Sequence, residues 1–241
     1  MRRWIVLLLS VLCGGSGLSA EPVRHVINGV AYRVLTVSPE KVRIVWKDGE
    51  GRILRRFPAA ARYLDEQGEK VAALMNGGIF EPGGVPSGLL VVAGEQQQPL
   101  NLADGNGNFF LKPNGVFLIG AKGAAVVRAN EYPAHAAGVR WAVQSGPLLI
   151  RAGKVHPAFL KDSDSRLHRN GVGVNDKGEV VLIITEIRSA KKPNLYEFAQ
   201  VFARFGCRDA LFLDGDISQL RTGKSMTRFS NRFGSIIAVV E

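Results

Sequence analysis

Two carboxylates directly follow a predicted buried strand near the carboxyl end of the chain. The strand 210–213 is wholly apolar and leads into Asp214, Gly215, Asp216 and, two residues later, Ser218. A carboxyl group at the point where a buried strand emerges loses part of its hydration, which alters its acid strength. Asp214 is therefore the first candidate for a nucleophile or general base, with Asp216 as its partner or as a substitute ligand. The alternative is an Asp-Gly turn that only connects two elements.

Three other polar loops also border predicted strands. They are Asn76-Gly77-Gly78 after the strand 71–75, Ser145-Gly146 after the strand 141–144, and Arg166 to Gly171 before the strand 171–175. A glycine beside a polar residue at a strand end permits a tight turn and lets a ligand approach the backbone closely. In such positions the Asn76 amide suits sugar hydroxyls and the Arg169 guanidinium suits phosphate oxygens, with Arg166 as the weaker candidate.

Two further polar residues complete the candidate set. Glu186 follows the predicted strand 180–185 and is an additional acid candidate, whereas Ser218 would hold sugar hydroxyls or shape its loop. Each loop also has a purely structural explanation, because Asn-Gly and Asp-Gly are common turn sequences and most arginines are solvated surface charges. A shared function therefore depends on whether the separate loops converge in the folded chain.

Several other kinds of site find no support in the sequence. Ser145 does not lie in the Gly-x-Ser-x-Gly pattern of a serine hydrolase, and no glycine-rich dinucleotide motif or Walker motif occurs. The four histidines lack the spacing of metal ligands, so neither a zinc site nor another cofactor is expected. A divalent cation held by Asp214 and Asp216 stays open as an alternative, because carboxylates are hard oxygen ligands.

The first twenty residues have the pattern of a signal peptide. Arg2 and Arg3 precede a short apolar core, and Ala20 ends a segment of small residues at a plausible cleavage point. The apolar core is too short for a permanent membrane span. We therefore expect a periplasmic or secreted protein with a single mature domain, residues 21–241. Cys207 would be its one remaining cysteine, so no internal disulfide is expected.

The chain is strongly basic. It has 31 lysines and arginines against 21 aspartates and glutamates, a formal net charge of +10; removing Arg2 and Arg3 with the leader, which holds no acid, leaves +8. A basic exported protein meets anionic polymers such as phosphorylated glycans and wall polymers. No nucleic-acid-binding module is recognisable, so phosphorylated glycans, lipid headgroups or wall polymers are the expected class of partner, unless the charge serves only solubility. The sequence does not predict an oligomeric state.

A strand-rich fold must position these loops. Residues 23–46 alternate between apolar and polar side chains, which is typical of half-buried strands. Helices are expected at 59–67 and 194–205, and the second has apolar residues at helical spacing. A hairpin is expected between 109–111 and 116–119, because Lys-Pro-Asn-Gly between them is a turn sequence. Together these patterns predict an α+β fold with a mixed or largely antiparallel sheet and a few helices.

Taken in this order, the loops resemble the phosphodiester glycosidase domain family. The matching segments are Asn76 to Phe80 (Asn-Gly-Gly-x-Phe), Gly146 to Leu149 (Gly-Pro-x-Leu), Arg169 to Gly173 before a strand, and Leu213 to Ser218 after a helix and a strand. The resemblance covers roughly residues 70–240. It departs from the family at Asp216 and Ile217, which replace two glycines of a Leu-Asp-Gly-Gly-Gly-Ser run.

The resemblance implies a hydrolase that cleaves the glycosidic bond between a sugar and a phosphate. The expected substrate is an N-acetylglucosamine-1-phosphodiester or a related envelope glycan. Asp214 would act as nucleophile or base and Arg169 would bind phosphate. Two alternatives stay open. One is a non-catalytic module that binds an anionic envelope glycan, and the other is a metal-dependent phosphodiesterase that uses Asp214 and Asp216 as ligands.

Overall fold

The computed structural model describes residues 21–241. The predicted signal peptide, residues 1–20, lies outside the described residues. Within residues 21–241, every helix is too short or too polar to cross a bilayer.

The described residues form eighteen strands, two α-helices and four short 3-10 turns. The first nine strands are β1 (Val23–Ile27), β2 (Val30–Val37), β3 (Val42–Val45), β4 (Val71–Asn76), β5 (Phe80–Glu81), β6 (Val85–Pro86), β7 (Leu90–Val92), β8 (Glu95–Gln98) and β9 (Gly115–Gly120). The other nine are β10 (Gly123–Arg128), β11 (Val139–Ser145), β12 (Leu148–Arg151), β13 (Lys154–Val155), β14 (Asn170–Asn175), β15 (Val180–Thr185), β16 (Cys207–Asp214), β17 (Leu220–Thr222) and β18 (Ile236–Val240). The helices are α1 (Phe57–Glu66) and α2 (Leu195–Arg204), and the 3-10 turns are Pro39–Lys41, Asn108–Phe110, Ala129–His135 and Gly223–Thr227.

The strands form three main sheets and one small two-stranded sheet. The seven-stranded sheet has the order β1-β2-β15-β14-β16-β12-β13, the five-stranded sheet β10-β9-β11-β7-β8, and the four-stranded sheet β17-β4-β18-β3. All strand pairs among the described residues are antiparallel. The prediction of a strand-rich α+β fold with largely antiparallel sheets is therefore confirmed.

The main apolar core combines side chains from all three large sheets. Leu35 of the seven-stranded sheet, Phe117 of the five-stranded sheet and Ile237 of the four-stranded sheet belong to one buried cluster. Burying each such side chain contributes about 1.5–3 kcal/mol to folding. Because all three sheets share this core, strand ends that are distant in the sequence are held in fixed positions relative to one another.

The two helices cover outer faces of the sheets. Helix α2 packs Phe198 and Phe202 against Phe212 of the seven-stranded sheet. Its first turn is capped by Asn194, whose Oδ1 accepts a hydrogen bond from the amide of Glu197 at 2.9 Å. Helix α1 buries Phe57 against the four-stranded sheet in a separate cluster.

The hairpin predicted between 109–111 and 116–119 is wrong. Asn108–Phe110 forms a 3-10 turn, and the hairpin partner of β9 is β10. The side-chain amide of Asn114 donates to the main-chain carbonyl of Phe109 at 3.0 Å. The Phe109 carbonyl therefore accepts its hydrogen bond from a side chain and not from the backbone of a pairing strand, and the segment forms a compact loop.

Candidate active site

Four polar side chains lie at neighbouring strand ends. Asn76 ends β4, Ser145 ends β11, Asn170 begins β14 and Asp214 ends β16. Because β14 and β16 run antiparallel, the first residue of one pairs with the last residue of the other, and Asn170 lies opposite Asp214. Sheet register thus brings the Asn170 and Asp214 ends together, and side-chain hydrogen bonds join the strand ends of the other two sheets to them.

Asn170 is the centre of the hydrogen-bond network there. Its amide nitrogen donates to the main-chain carbonyl of Asn76 at 3.0 Å and to Asn76 Oδ1 at 3.2 Å. Its Oδ1 accepts from the amide of Asp214 at 2.8 Å and from the hydroxyl of Ser218 at 3.0 Å. Asn76 Oδ1 also accepts from the amide of Gln219 at 2.9 Å. This buried and mutually satisfied network fixes the loop after β16 onto the end of β4.

The Ser145 hydroxyl attaches β11 to the same region. It donates to the carbonyl of Leu213 at 2.8 Å and accepts from the amide of Ile79 at 3.2 Å. The next residue, Gly146, has no space for a side chain, since an added Cβ would lie 2.7 Å from the carbonyl oxygen of Phe109. Ser145 and Gly146 therefore shape the loops around Asp214.

Close packing explains the two glycines after Asn76. A Cβ added to Gly77 would overlap the hydroxyl of Ser235, and one added to Gly78 would lie 2.8 Å from the carbonyl oxygen of Gln144. Neither glycine has a positive φ. The requirement for glycine is therefore steric, and it allows the Asn76–Phe80 segment to pass close to the end of β11.

Asp214 carries a charge that no cation in the described residues compensates by an ion pair. Its partly buried carboxylate accepts a hydrogen bond from the amide of Gly215 at 2.7 Å. Among residues 21–241 it forms no ion pair. Loss of hydration raises the pKa of Asp214 to about 6, against the smaller opposing effect of the Gly215 amide. The group is therefore mostly ionised at neutral pH yet more basic than an ordinary aspartate, as a nucleophile or general base requires.

Asp216 and His168 join the loop after β16 to the segment before β14. The exposed Asp216 accepts a hydrogen bond from the backbone amide of His168 at 3.1 Å. His168 Nε2 lies 2.9 Å from the carbonyl of Ser218 and so donates to it, while the buried Nδ1 has no partner within the described residues. Burial lowers the pKa of His168, which keeps the imidazole neutral at neutral pH.

The side chain of Arg169 is buried and held by main-chain carbonyls. Its Nε donates to Pro193 at 3.2 Å and its Nη2 to Ser165 at 2.8 Å, and the guanidinium lies 5.7 Å from the ring centre of Phe212. Burial lowers the pKa of Arg169 to about 10, and the nearby charge of Asp216 opposes this shift. Arg169 therefore remains charged at neutral pH. Arg169 immediately precedes β14, and its charge interacts with that of Asp216.

Arg166 and Glu186 point to other partners. Arg166 forms a forked ion pair with Glu197 of α2, at 2.6 and 3.0 Å, and so turns toward the helix. Glu186 pairs with Arg24 of β1 at 3.1 Å. Neither side chain makes a hydrogen bond to the Asp214 loop.

A cavity of about 400 Å³ adjoins the network at Ser218. Its lining includes His168, Ser218, Glu186 and three arginines, Arg33, Arg188 and Arg221. Thr185 and His168 both line this cavity. The buried Thr185 hydroxyl and His168 Nδ1 have no hydrogen-bond partner within residues 21–241. Of the predicted site residues, the cavity gathers Glu186 and Ser218, while Asp214 and Arg169 are outside its lining.

No group of three or more histidine, cysteine, aspartate or glutamate side chains that could hold a metal ion occurs within residues 21–241. Asp214 and Asp216 therefore have no third protein ligand of these types nearby.

Comparison with known families assigns the chain. The model of the phosphodiester glycosidase family matches residues 69–231. The chain belongs to the phosphodiester glycosidase family. The match spans all four strand ends of the network, so the resemblance in the loop sequences is confirmed.

Relatives of this family member include one bacterial sequence and several solved structures. Uncharacterized protein YigE of Escherichia coli (strain K12) is 35% identical over 194 residues, which are 79% of this chain and 74% of that protein. The catalytic domain of zebrafish N-acetylglucosamine-1-phosphodiester alpha-N-acetylglucosaminidase, in a form auto-inhibited by its pro-peptide, shares the fold. Its TM-score is 0.65 at 15% identity, over 91% of this chain and 81% of that one. A putative exported protein of Burkholderia pseudomallei gives a TM-score of 0.54 at 14% identity, over 88% and 74% of the two chains.

Sequence reasoning missed two residues of this candidate site. Asn170 links three of the four strand ends, and His168 contacts both sides of the Asp216 loop. The only signal was position, because both residues flank Arg169 immediately before a predicted strand. Their side-chain partners lie on other strands, so their importance depends on the sheet register.

Proposed function

We propose that the protein is an exported hydrolase that cleaves the glycosidic bond between a sugar and a phosphodiester-linked phosphate. Family membership supports the general reaction class. The single observation that carries the proposal is the environment of Asp214. This carboxylate is partly buried, its pKa is raised to about 6, and it is held where four strand ends meet without a cationic partner among the described residues.

Asp214 has the properties needed at the anomeric carbon. A glycosidic bond breaks through a transition state in which positive charge develops on the sugar ring. An unpaired carboxylate stabilises that charge, and it either attacks the anomeric carbon or takes a proton from an attacking water. A carboxylate neutralised by a nearby arginine would do so less well, and Asp214 avoids that loss.

The phosphate side of the bond needs less acid catalysis. Phosphate is a good leaving group, so strong protonation of the leaving oxygen is less important than in ordinary glycoside hydrolysis. Positive charge that stabilises the departing phosphate is more useful. The buried Arg169, immediately before β14, is one candidate for this role, and Arg33, Arg188 and Arg221 supply positive charge around the adjoining cavity.

The remaining predicted residues have positioning roles in this proposal. Asn76 and Ser218 direct their polar groups into the Asn170 network, which favours loop shaping over contact with sugar hydroxyls. Asp216 anchors the loop through the His168 amide. Glu186 stays an acid candidate because it lines the cavity beside Ser218.

Turnover of synthetic sugar-1-phosphodiesters tests the proposal. The panel includes an N-acetylglucosamine-1-phosphodiester and epimers at single hydroxyls, and the readout is released reducing sugar together with the matching phosphomonoester. Asp214→Asn is expected to lower kcat by at least about a thousandfold with an unchanged fold. Because Asn followed by Gly can deamidate back to Asp, Asp214→Ala is measured in parallel. The exposed Asp162→Asn is the control for loss of one carboxylate and should keep full activity.

The same assay separates the alternatives. Near-normal turnover by both Asp214 variants would remove Asp214 from the mechanism. Retention of the sugar phosphate by the wild-type protein without any turnover would instead favour the glycan-binding module. Loss of turnover with a chelator, restored by a divalent cation, would favour the metal-dependent phosphodiesterase.

A further inference from the structure

A second basic site lies beside the first turn of α1, outside the Asn170 network. It is a groove of about 410 Å³ lined by four arginines, Arg55, Arg56, Arg62 and Arg232, which we call the arginine groove. Leu54 and two residues of the first helical turn complete its lining, and it contains no carboxylate. Four guanidinium groups around one concave surface create a strong local positive potential.

Little of this charge is neutralised by the protein. Arg62 lies 4.0 Å from Glu66, and both side chains are largely exposed, so this pair is weak. Arg55, Arg56 and Arg232 form no ion pair within residues 21–241. Burial lowers the pKa of Arg55, and the charges of Arg232 and Arg56 lower it further. The arginines therefore repel one another, and a bound anion would relieve that repulsion.

The fold holds two of these arginines in place. The guanidinium of Arg55 lies 5.7 Å from the ring centre of Phe80 and packs on Gly84, where an added Cβ would be only 2.6 Å away. The Arg55 backbone has a φ of +59°, and its carbonyl accepts from the amide of Phe233 at 2.7 Å. Contacts with Phe80, Gly84 and Phe233 therefore fix the position of Arg55. Its left-handed backbone is a further local constraint that an ordinary surface arginine does not need.

Both Arg55 and Arg56 remain able to bind a ligand. Arg55 Nε is buried and has no acceptor within residues 21–241. Arg55 donates no side-chain hydrogen bond within residues 21–241, and it lines the groove, so its guanidinium is available to an anion bound there. Arg56 uses Nη1 to donate to the carbonyl of Ser230 and stacks 4.4 Å from the ring centre of Phe229. Phe229 itself is 78% exposed, so an apolar surface adjoins the charged one.

The arginine groove is structurally connected to the Asp214 loop. Ile217 packs into the same apolar cluster as Leu54 and Phe233. The side-chain amide of Asn231 donates to the carbonyl of Ile217 at 2.8 Å, and its backbone amide donates to Gln219 Oε1 at 3.1 Å. Arg232 follows Asn231 directly, so the segment that supplies one arginine also supports the loop after β16.

We infer that the arginine groove is a second anion site, which binds a phosphoryl group away from the bond that is cleaved. Guanidinium groups match phosphoryl oxygens through paired hydrogen bonds and keep their charge at every physiological pH. If the proposed function holds, the substrate is a polymer with repeated phosphodiesters. The glycosidic bond at one phosphodiester is cleaved near Asp214, and the phosphoryl group of another lies in the groove. A substrate with a single phosphate would fill only the first site.

Binding without turnover tests the site directly. Pyrophosphate and a poly(glycerol phosphate) chain are titrated calorimetrically into the wild-type protein and into an Arg62→Gln, Arg232→Gln double variant. Both substituted side chains are exposed, so the variant should fold normally. We expect at least a tenfold weaker affinity for both ligands. The exposed Arg208→Gln variant is the matched control and should bind as the wild-type protein does. Arg55→Gln should weaken binding as well, and its melting temperature shows whether it folds.

Two results would overturn this inference. One is equal affinity of the wild-type protein and the double variant for the phosphate polymer. The other is equal binding of polygalacturonate, a carboxylate polymer, which would indicate only nonspecific attraction to polyanions. The outcome is independent of the catalytic proposal, because Asp214→Asn should keep full affinity in the groove. The double variant should in turn keep its turnover of a small sugar-1-phosphodiester while losing turnover of a poly(sugar-1-phosphate) chain, which contains the glycosidic bond that poly(glycerol phosphate) lacks.

Discussion

Asp214 combines a fixed backbone with an uncompensated charge. Its amide donates to Asn170 and its carboxylate accepts from Gly215, so the residue has little freedom to move. Its raised pKa of about 6 means that the folded protein tolerates a carboxylate that would be more stable in water. A group that costs stability in the native state is commonly a functional one, because no structural advantage explains its retention.

This cost predicts how the stability of Asp214→Asn depends on pH. The folded pKa of about 6 exceeds the usual 3.8, so the folded state binds a proton more tightly than the unfolded state does. The contribution of the Asp214 carboxyl group to the free energy of unfolding is therefore highest at low pH, and it falls as the pH rises from about 4 to about 6. Asp214→Asn should be more stable than the wild-type protein by about 1–3 kcal/mol at pH 7.5, with the gain vanishing near pH 3.5. Urea unfolding at the two pH values measures it.

The matched variant is Asp162→Asn, whose carboxylate is exposed. It should change the free energy of unfolding little at either pH. A gain for Asp214→Asn that is the same at pH 3.5 and 7.5 would contradict the assignment of the cost to the ionised carboxylate.

The strands around the candidate site meet at closely packed loops, and no helix within residues 21–241 lies between them at this point. The segment after β4 passes against the end of β11, where Gly78 leaves no space for a side chain. Asn170 joins the loop after β16 to the end of β4, and Ser145 joins the end of β16 to β11. Small displacements at any of these contacts would move Asp214, because rigid sheets transmit a shift without absorbing it.

Gly78→Ala tests this dependence on close packing. The added methyl group would lie 2.8 Å from the Gln144 carbonyl oxygen and 3.0 Å from Ser145 Cβ, so the loop must shift. We expect a loss of roughly 1–3 kcal/mol in the free energy of unfolding. The catalytic efficiency, kcat/KM, on a sugar-1-phosphodiester should fall about a hundredfold, because the reacting groups lose their alignment.

Gly49→Ala is the matched control at a turn. A Cβ added there meets nothing within 4 Å, so both stability and activity should be close to wild type. If Gly78→Ala were as active as Gly49→Ala, the loop after β4 would have no part in positioning the site.

At the scale of the whole molecule, charge and architecture serve different purposes. Three sheets share one apolar core, which gives the loops a rigid base. The basic charge is distributed outside that core, with one concentration at the arginine groove and another around the cavity beside Ser218. A strongly basic surface raises the local concentration of anionic polymers at both sites, and this attraction weakens as salt increases.

Export of the whole chain is a separate prediction. The charged start, the short apolar core and the small residues before Glu21 lead us to expect cleavage after Ala20 in a bacterial host with a general secretion pathway. Intact-mass measurement of the protein recovered from the periplasm or medium should match residues 21–241. Arg2→Glu combined with Arg3→Glu should reduce export, because a signal peptide needs its positive start. Full-length protein that stays in the cytoplasm with wild-type residues 1–20 would contradict the prediction.

The sequence by itself determined the strand-rich class, the candidate loops for chemistry, and the family to which the chain belongs. Alternating side chains, Asn-Gly and Asp-Gly turns, and an apolar strand ending at Asp214 are local patterns, so local chemistry is enough to interpret them. Helix α2 was likewise predictable, because its apolar spacing and its Asn194 cap lie within one short segment.

Only the tertiary structure decided which of these residues work together. Asn170 lies at the centre of the hydrogen-bond network because the register of β14 against β16 places it opposite Asp214. Arg166 instead forms an ion pair with Glu197 of α2. The arginine groove combines Arg55 with Arg232, which are distant in the sequence. Long-range pairing depends on how three sheets pack around a common core, and no short window of sequence contains that information.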